Sequence, residues 1–234
     1  MKLSDYKSTW DDLEITEFNL QDLTGLTREQ WLCLTGFFGN PKIKEHPFNE
    51  SSMQIGGIYP ELAIGCKDPV LLISFDIKNR TIENIEILLE KTDQGKKLGL
   101  HAHMFQIEKA RAVGFKSISL VAAGSGQEKD DIFGGYNVWG KLGYTMQSDS
   151  QSEFLEKMKR EGKEFECLHE IVLDEEHKSY WKENGISWDG EFDLNPQSHN
   201  HRLLKLYLFT KDKRNSGVRL NRVRSWMKNK LGRQ

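Results

Sequence analysis

Two β-rich runs, TIENIEILL (Thr81–Leu89) and FKSISLVAAG (Phe115–Gly124), flank one helical segment that stops at Gly114. A connection of that length, with a helix inside it, predicts two parallel strands joined by a right-handed crossover. That excludes an all-α or all-β fold. The joint between the first strand and the helix reads TDQGKKLGLHAH (Thr92–His103), with glycines at 95 and 99. Successive backbone N–H groups in such a turn, opening onto a helix N-terminus, make a cradle for phosphate. Lys96 and Lys97 add positive charge beside it. Lys97 also stands where a third glycine would complete the commonest form of the turn.

The flanking sequence extends the same unit. VLLISFDI (Val70–Ile77) is a strand, and the short KNR that follows predicts an antiparallel hairpin with Thr81–Leu89. Residues 41–60, with three prolines and two glycines, read as loop with an edge strand. Residues 10–38 read as helical, with Thr27 as N-cap and Gln30 at the capping-box position. The segment after Gly99 is helical to about Val113, with Leu98, Ala102, Phe105 and Ala112 near one face. After Gly124 come a polar loop, a short helix in GYNVWGKLG and a further strand at YTM. Beyond residue 150, SEFLEKMKREG is a helix, YWKENGISWDGEFDL an aromatic loop and RLLKLYLFT a strand.

With 234 residues the chain is expected to form a single domain. It divides into an N-terminal helical segment (1–50), a core (51–150), a C-terminal α/β extension (151–217) and a basic tail helix (218–234). No apolar run approaches the ~20 residues of a membrane span. The polar, acidic start MKLSDYKSTWDD is unlike a secretory signal. Cys33, Cys66 and Cys167 are far apart and odd in number, so neither a disulfide framework nor a zinc knuckle is expected. A reducing cytoplasm is the expected compartment. From Arg202 onward 11 Lys/Arg face one acid, Asp212, leaving 22 basic and 34 acidic residues in the remainder. An acidic body with a basic tail attracts polyanions through the tail.

The region Thr81–Tyr144 resembles the core of the GNAT acetyltransferase superfamily. The likeness rests on the order of strand, pyrophosphate loop, helix, strand and short helix. Here the loop is Gln94-Gly95-Lys96-Lys97-Leu98-Gly99, and the last element ends in Trp139-Gly140-Lys141-Leu142-Gly143-Tyr144. The resemblance implies a GNAT-type mixed central β-sheet flanked by helices, with the N-terminal segment and C-terminal extension added. It implies acetyl-CoA as co-substrate, no metal, and an amine acceptor, either a small molecule or a peptide. Gln94, Gly95, Lys96, Lys97, Leu98 and Gly99 would then hold the pyrophosphate. Leu88 and Leu89 would pair with the pantetheine arm, and Trp139 would contact the cofactor.

Acetyl transfer needs a deprotonated amine, a polarised thioester carbonyl and a proton for the leaving thiolate. The resemblance places a base at Glu83, with Glu86 as the fallback. Glu83 shares a strand face with Ile85, Ile87 and Leu89, which would shield it in part from water. Trp139 occupies the place where the family commonly carries the tyrosine that protonates the thiolate. Tyr136, one helical turn earlier, is the phenol nearest in sequence and the candidate acid. Trp181, Trp188 and Phe192 are candidate walls of the acceptor pocket. His101 and His103 fall on different helix faces and make a poor metal pair. His199 and His201 would share a face in a strand. The competing reading is a GNAT-fold protein without turnover, binding a partner or nucleic acid through its basic tail. The stripe of Leu220, Val223, Trp226, Met227 and Leu231 favours a tail helix docked on its own domain.

Overall fold

Among the described residues, seven strands form one sheet in the order β1-β2-β3-β4-β5-β7-β6. They are β1 Lys42–Asn49, β2 Ser52–Ile58, β3 Leu71–Asp76, β4 Thr81–Ile87, β5 Ser117–Ala122, β6 Thr145–Met146 and β7 Trp188–Asp193. The computed structural model describes residues 34, 42–49, 52–58, 71–76, 78–87, 98–127, 134–174 and 176–214. Leu88, Leu89, Gln94, Gly95, Lys96, Lys97, most of the N-terminal helical segment and the tail 218–234 lie outside the described residues.

The antiparallel hairpin holds. Asn79 donates from its backbone N–H and side chain to the two Asp76 carboxylate oxygens, at 2.9 and 2.7 Å. Those bonds, led by the backbone one, draw the Asp76 carboxyl below its ordinary range. Residues 41–60 differ from expectation, because they supply two paired strands in place of loop and one edge strand. Pro47 is tolerated there because β1 is the sheet edge and its register already shifts between Pro47 and Asn49.

β4 and β5 pair in parallel, whereas every other neighbouring pair is antiparallel. The crossover between them contains helix α1, Leu98–Ala112. Its buried stripe is Leu100, Ala102, His103, Gln106, Ile107 and Ala110. Ala102 holds the expected face, but Phe105 is half-buried and Ala112 exposed. Two polar residues, His103 and Gln106, take inward positions that a hydropathy reading assigns to solvent. Gly114, at φ +86°, ends the helix as expected.

Among the described residues these helices follow: α2 Gly135–Val138, α3 Ser148–Arg160, α4 Leu168–Val172, α5 Lys178–Asn184 and α6 His199–Arg214. The YTM strand and the SEFLEKMKREG helix are present as expected. Two assignments are corrected. YWKENGISWDGEFDL is no loop but helix α5 followed by β7, and RLLKLYLFT lies in helix α6 rather than a strand. His199 and His201 are therefore helical, and the shared strand face does not exist.

One sheet face buries Ile73, Phe75, Ile82, Asn84, Ile118, Leu120, Ala122, Trp188 and Phe192. The register puts Glu83, Ser119, Glu191 and Thr145 in one row across β4, β5, β7 and β6 on the other face. That face is the wetter one, with Glu83, Asp189, Glu191 and Asp193 exposed. No helix among the described residues is long and apolar enough to cross a membrane.

Candidate active site

The feature that organises the site is a parting of the two parallel strands. β4 and β5 pair from Thr81↔Ser117 to Asn84↔Leu120, then stop, although β4 continues to Ile87 and β5 to Ala122. The cause lies on the other side of β4. Its register against β3 passes from Ile73↔Asn84 to Leu72↔Glu86, so Ile85 is an extra residue. Such a bulge bends the strand and sharpens its twist, which swings β4 away from β5. A cleft at the carboxyl ends of parallel strands is where open α/β sheets bind ligands. Ile85 is 38% and Val121 50% exposed, so apolar side chains flank the parting.

Helix α1 is the next described element after β4, and its first turn has no acidic side chain to repel an anion. Gly99 lies in this turn and is half-buried. Leu98 is the first residue of the helix. Among the described residues, the free N–H groups of this first turn and the apolar flanks of the parting suit a long anionic cofactor with an apolar arm.

Glu83 sits one residue before the last β4–β5 pair. It is exposed, and this corrects the expected shielding, since Ile85 on its strand is itself partly in water. Tyr136 is 7% exposed, and its hydroxyl donates to the Lys182 carbonyl at 2.7 Å. Its own carbonyl accepts from the indole N–H groups of Trp181 and Trp188, both at 3.0 Å. As placed, this tyrosine anchors α2 to α5. Trp181, Trp188 and Phe192 are buried in the core.

Trp139 is half-buried, edge-on to His103 and Tyr144 with ring centroids 6.0 and 5.4 Å away. His103 is also 5.0 Å from Tyr144 and 5.1 Å from Phe192. Burial pushes the His103 imidazole down to about 3 and the Tyr144 phenol up. His101, two residues away, is exposed, so the two histidines do face apart. The rest of the WGKLGY motif is packing. Gly140 lies under Leu168, Lys141 donates to the Asn137 side chain at 2.9 Å, and Gly143 lies against α6.

Sequence reading missed a buried polar pair. Asn84 and Gln106 exchange two side-chain hydrogen bonds, 3.0 and 2.9 Å, across 22 residues. Helical spacing held the signal, because Gln106 lies three residues after His103 and four before Ala110 on the inward stripe. It also passed over Asp174, Glu176 and His177, whose ligand atoms lie within 4.8 Å of one another between α4 and α5. There His177 Nδ1 is 2.9 Å from Asp174 Oδ2.

Strand, crossover helix, strand and short helix thus follow in the order that the motifs imply. The fold is a mixed β-sheet flanked by helices. No family model matches the chain, and no curated protein matches it. Among solved structures it is similar to the PaiA N-acetyltransferase of Thermoplasma acidophilum in complex with coenzyme A. That match has 10% identity over 61% of each chain and a TM-score of 0.31. It is also similar to nourseothricin acetyltransferase (12% identity, 62% of this chain and 66% of that one, TM-score 0.33). A third is an aminoglycoside 6'-N-acetyltransferase complexed with coenzyme A (12%, 64% and 77%, TM-score 0.29). The match spans less than two thirds of the length of the first two.

Proposed function

We propose that the chain is an acyl-CoA-dependent N-acyltransferase that moves an acyl group, by preference acetyl, from CoA to an amine. The observation that carries this reading is the parting of β4 from β5 at a bulge, with helix α1 following β4 in the chain. CoA would lay its pantetheine arm in the parting beside Leu88 and Leu89. Its pyrophosphate would meet Gln94, Gly95, Lys96, Lys97, Leu98 and Gly99, and Trp139 would lie near the arm. The thioester supplies an activated acyl carbon, and the protein's share is to hold it and to manage protons.

Titration with CoA tests the reading. At about 100 times its dissociation constant CoA adds about 2.7 kcal/mol of stability, which a thermal melt reads directly. An unshifted melt at millimolar CoA would sink the proposal. It would promote the alternative, a non-catalytic protein binding a partner or nucleic acid through its basic tail. Trp139 favours that alternative to a degree, since an indole cannot protonate a thiolate.

Within the enzyme reading we assign Glu83 as the base, acting directly or through water from the row that faces solvent. Glu83→Gln then lowers turnover on the order of 10²-fold, with CoA affinity unchanged and the loss shrinking at high pH as free amine accumulates. A pH–rate profile that matches the native one would return Glu83 to the surface and make Glu86 the candidate. Tyr136 acts as thiolate acid in this scheme only by exchanging its bond to the Lys182 carbonyl for one to sulfur.

A further inference from the structure

We infer that Asn84 and Gln106 are positioning residues that set the first turn of α1 against the parting of β4 and β5; this rests on the CoA-binding reading above. Asn84 is the last β4 residue paired with β5, at the foot of the parting, and the bulge begins one residue later. Gln106 is on α1, two turns from its start. Asn84 Nδ2 donates to Gln106 Oε1 and Gln106 Nε2 donates to Asn84 Oδ1, so each primary amide gives and takes one bond. Both side chains are buried, at 3% and 2% exposure.

A pair of aliphatic side chains would fill this space and hold α1 to the sheet through non-directional contact. Two antiparallel amide bonds fix the helix in translation and rotation as well, because their geometry fails when either partner slides. Their position makes that constraint functional. The same strand that bends at the bulge leads into the segment that feeds α1. The distance from the pantetheine slot to the helix N-terminus is thereby held by the pair rather than by the connecting segment alone.

Three proteins decide the matter by calorimetry with CoA and with pantetheine, which lacks the pyrophosphate. In the double variant Asn84→Leu/Gln106→Leu, CoA affinity falls about 10-fold while pantetheine affinity is unchanged. The exchange Asn84→Gln/Gln106→Asn rebuilds the reciprocal pair with the same atoms and restores CoA affinity. Should the leucine pair fail to fold, Gln106→Met removes both bonds without adding a charge and shows the same selective loss. A folded leucine pair, or Gln106→Met protein, that binds CoA as the native chain does overturns the inference alone. Equal loss for both ligands overturns it too, since that is general loosening. Native protein that binds no CoA removes the functional reading and this inference with it.

Discussion

Between pH 6.5 and 4.5 this protein is expected to lose about 5 kcal/mol of stability, through two buried histidines. His169 is enclosed by α4 and the 139–144 segment, and its Nε2 donates to the Tyr144 carbonyl at 2.9 Å. Burial, then the nearby His199 ring, push it down to about 4, while burial pushes His103 to about 3. Both lie below the ordinary value of 6.5, so the unfolded chain takes up these protons first. The stability they protect is complete above 6.5. It drains as pH falls towards 4 for His169 and 3 for His103. Each costs about 1.4 kcal/mol per pH unit within its window. The carboxylates with lowered values, Asp76 and Glu161, start from 3.8 and 4.5 and so act lower down. Against a typical total of about 5–15 kcal/mol, the loss is a large fraction of what holds the domain folded. Denaturant titrations at pH 6.5, 5.5 and 4.5 measure it. His169→Gln, which keeps a donor and removes the titration, should flatten the slope by about 1.4 kcal/mol per unit. A native protein equally stable at pH 6.5 and 4.5 would refute the assignment.

The second large effect is expected at Gly143, the last glycine of the WGKLGY motif. Its φ is +94°, and a Cβ there would meet the Asn200 carbonyl oxygen at 2.6 Å and the Leu204 nitrogen at 3.1 Å. Both are backbone atoms of α6 and cannot rotate away. Asn200 also donates to the Gly143 carbonyl at 2.9 Å, so the two segments are held together. Gly143→Ala combines about 1–3 kcal/mol of backbone strain with an overpacking cost of about 1–3 kcal/mol. At roughly 2–4 °C per kcal/mol the melting point should fall by about 10 °C. Gly162 is the control, because its φ is +65° but no atom lies within 4 Å of the added carbon. Gly162→Ala therefore reports strain alone. Equal losses in the two variants would show that the α6 contact contributes nothing.

Much of the sheet was legible because its strands announce themselves through β-branched runs and turn residues. The β3–β4 hairpin, the crossover helix and β5 all follow from that. The C-terminal errors have physical causes. In RLLKLYLFT, leucines 204, 206 and 208 alternate as in a strand, but the buried set is Asn200, His201, Leu203, Leu204 and Leu206. Two polar residues start that helical stripe, and a hydropathy reading discards them. The available clue was Ser198, whose Oγ accepts from the His201 N–H in the manner of an N-cap. In WDGEFD the alternation was present, with Trp188, Gly190 and Phe192 inward and three acids outward. Gly190 disguised it; a side chain there would strike the Trp188 ring. The site was legible as a motif order. The bulge at Ile85 was not, since nothing in TIENIEILL marks an extra residue. Nor was the Asn84–Gln106 pair, which depends on two positions brought together only by the crossover.

The placing of β7 between β5 and β6 has a consequence for how the chain is made. β5 is finished at Ala122, but the strand that covers its free edge begins only at Trp188. At about 5–20 residues per second the ribosome leaves that edge bare for roughly 3–13 s. Two-residue β6 cannot cover it, because β6 joins the sheet only through β7. During that interval Val121 and its neighbours offer an unpaired ladder beside an apolar surface, the kind of template that invites pairing with another nascent chain. The acids of WDGEFD reach the sheet together with the backbone that closes it, so the edge is sealed and its outer face charged in one step.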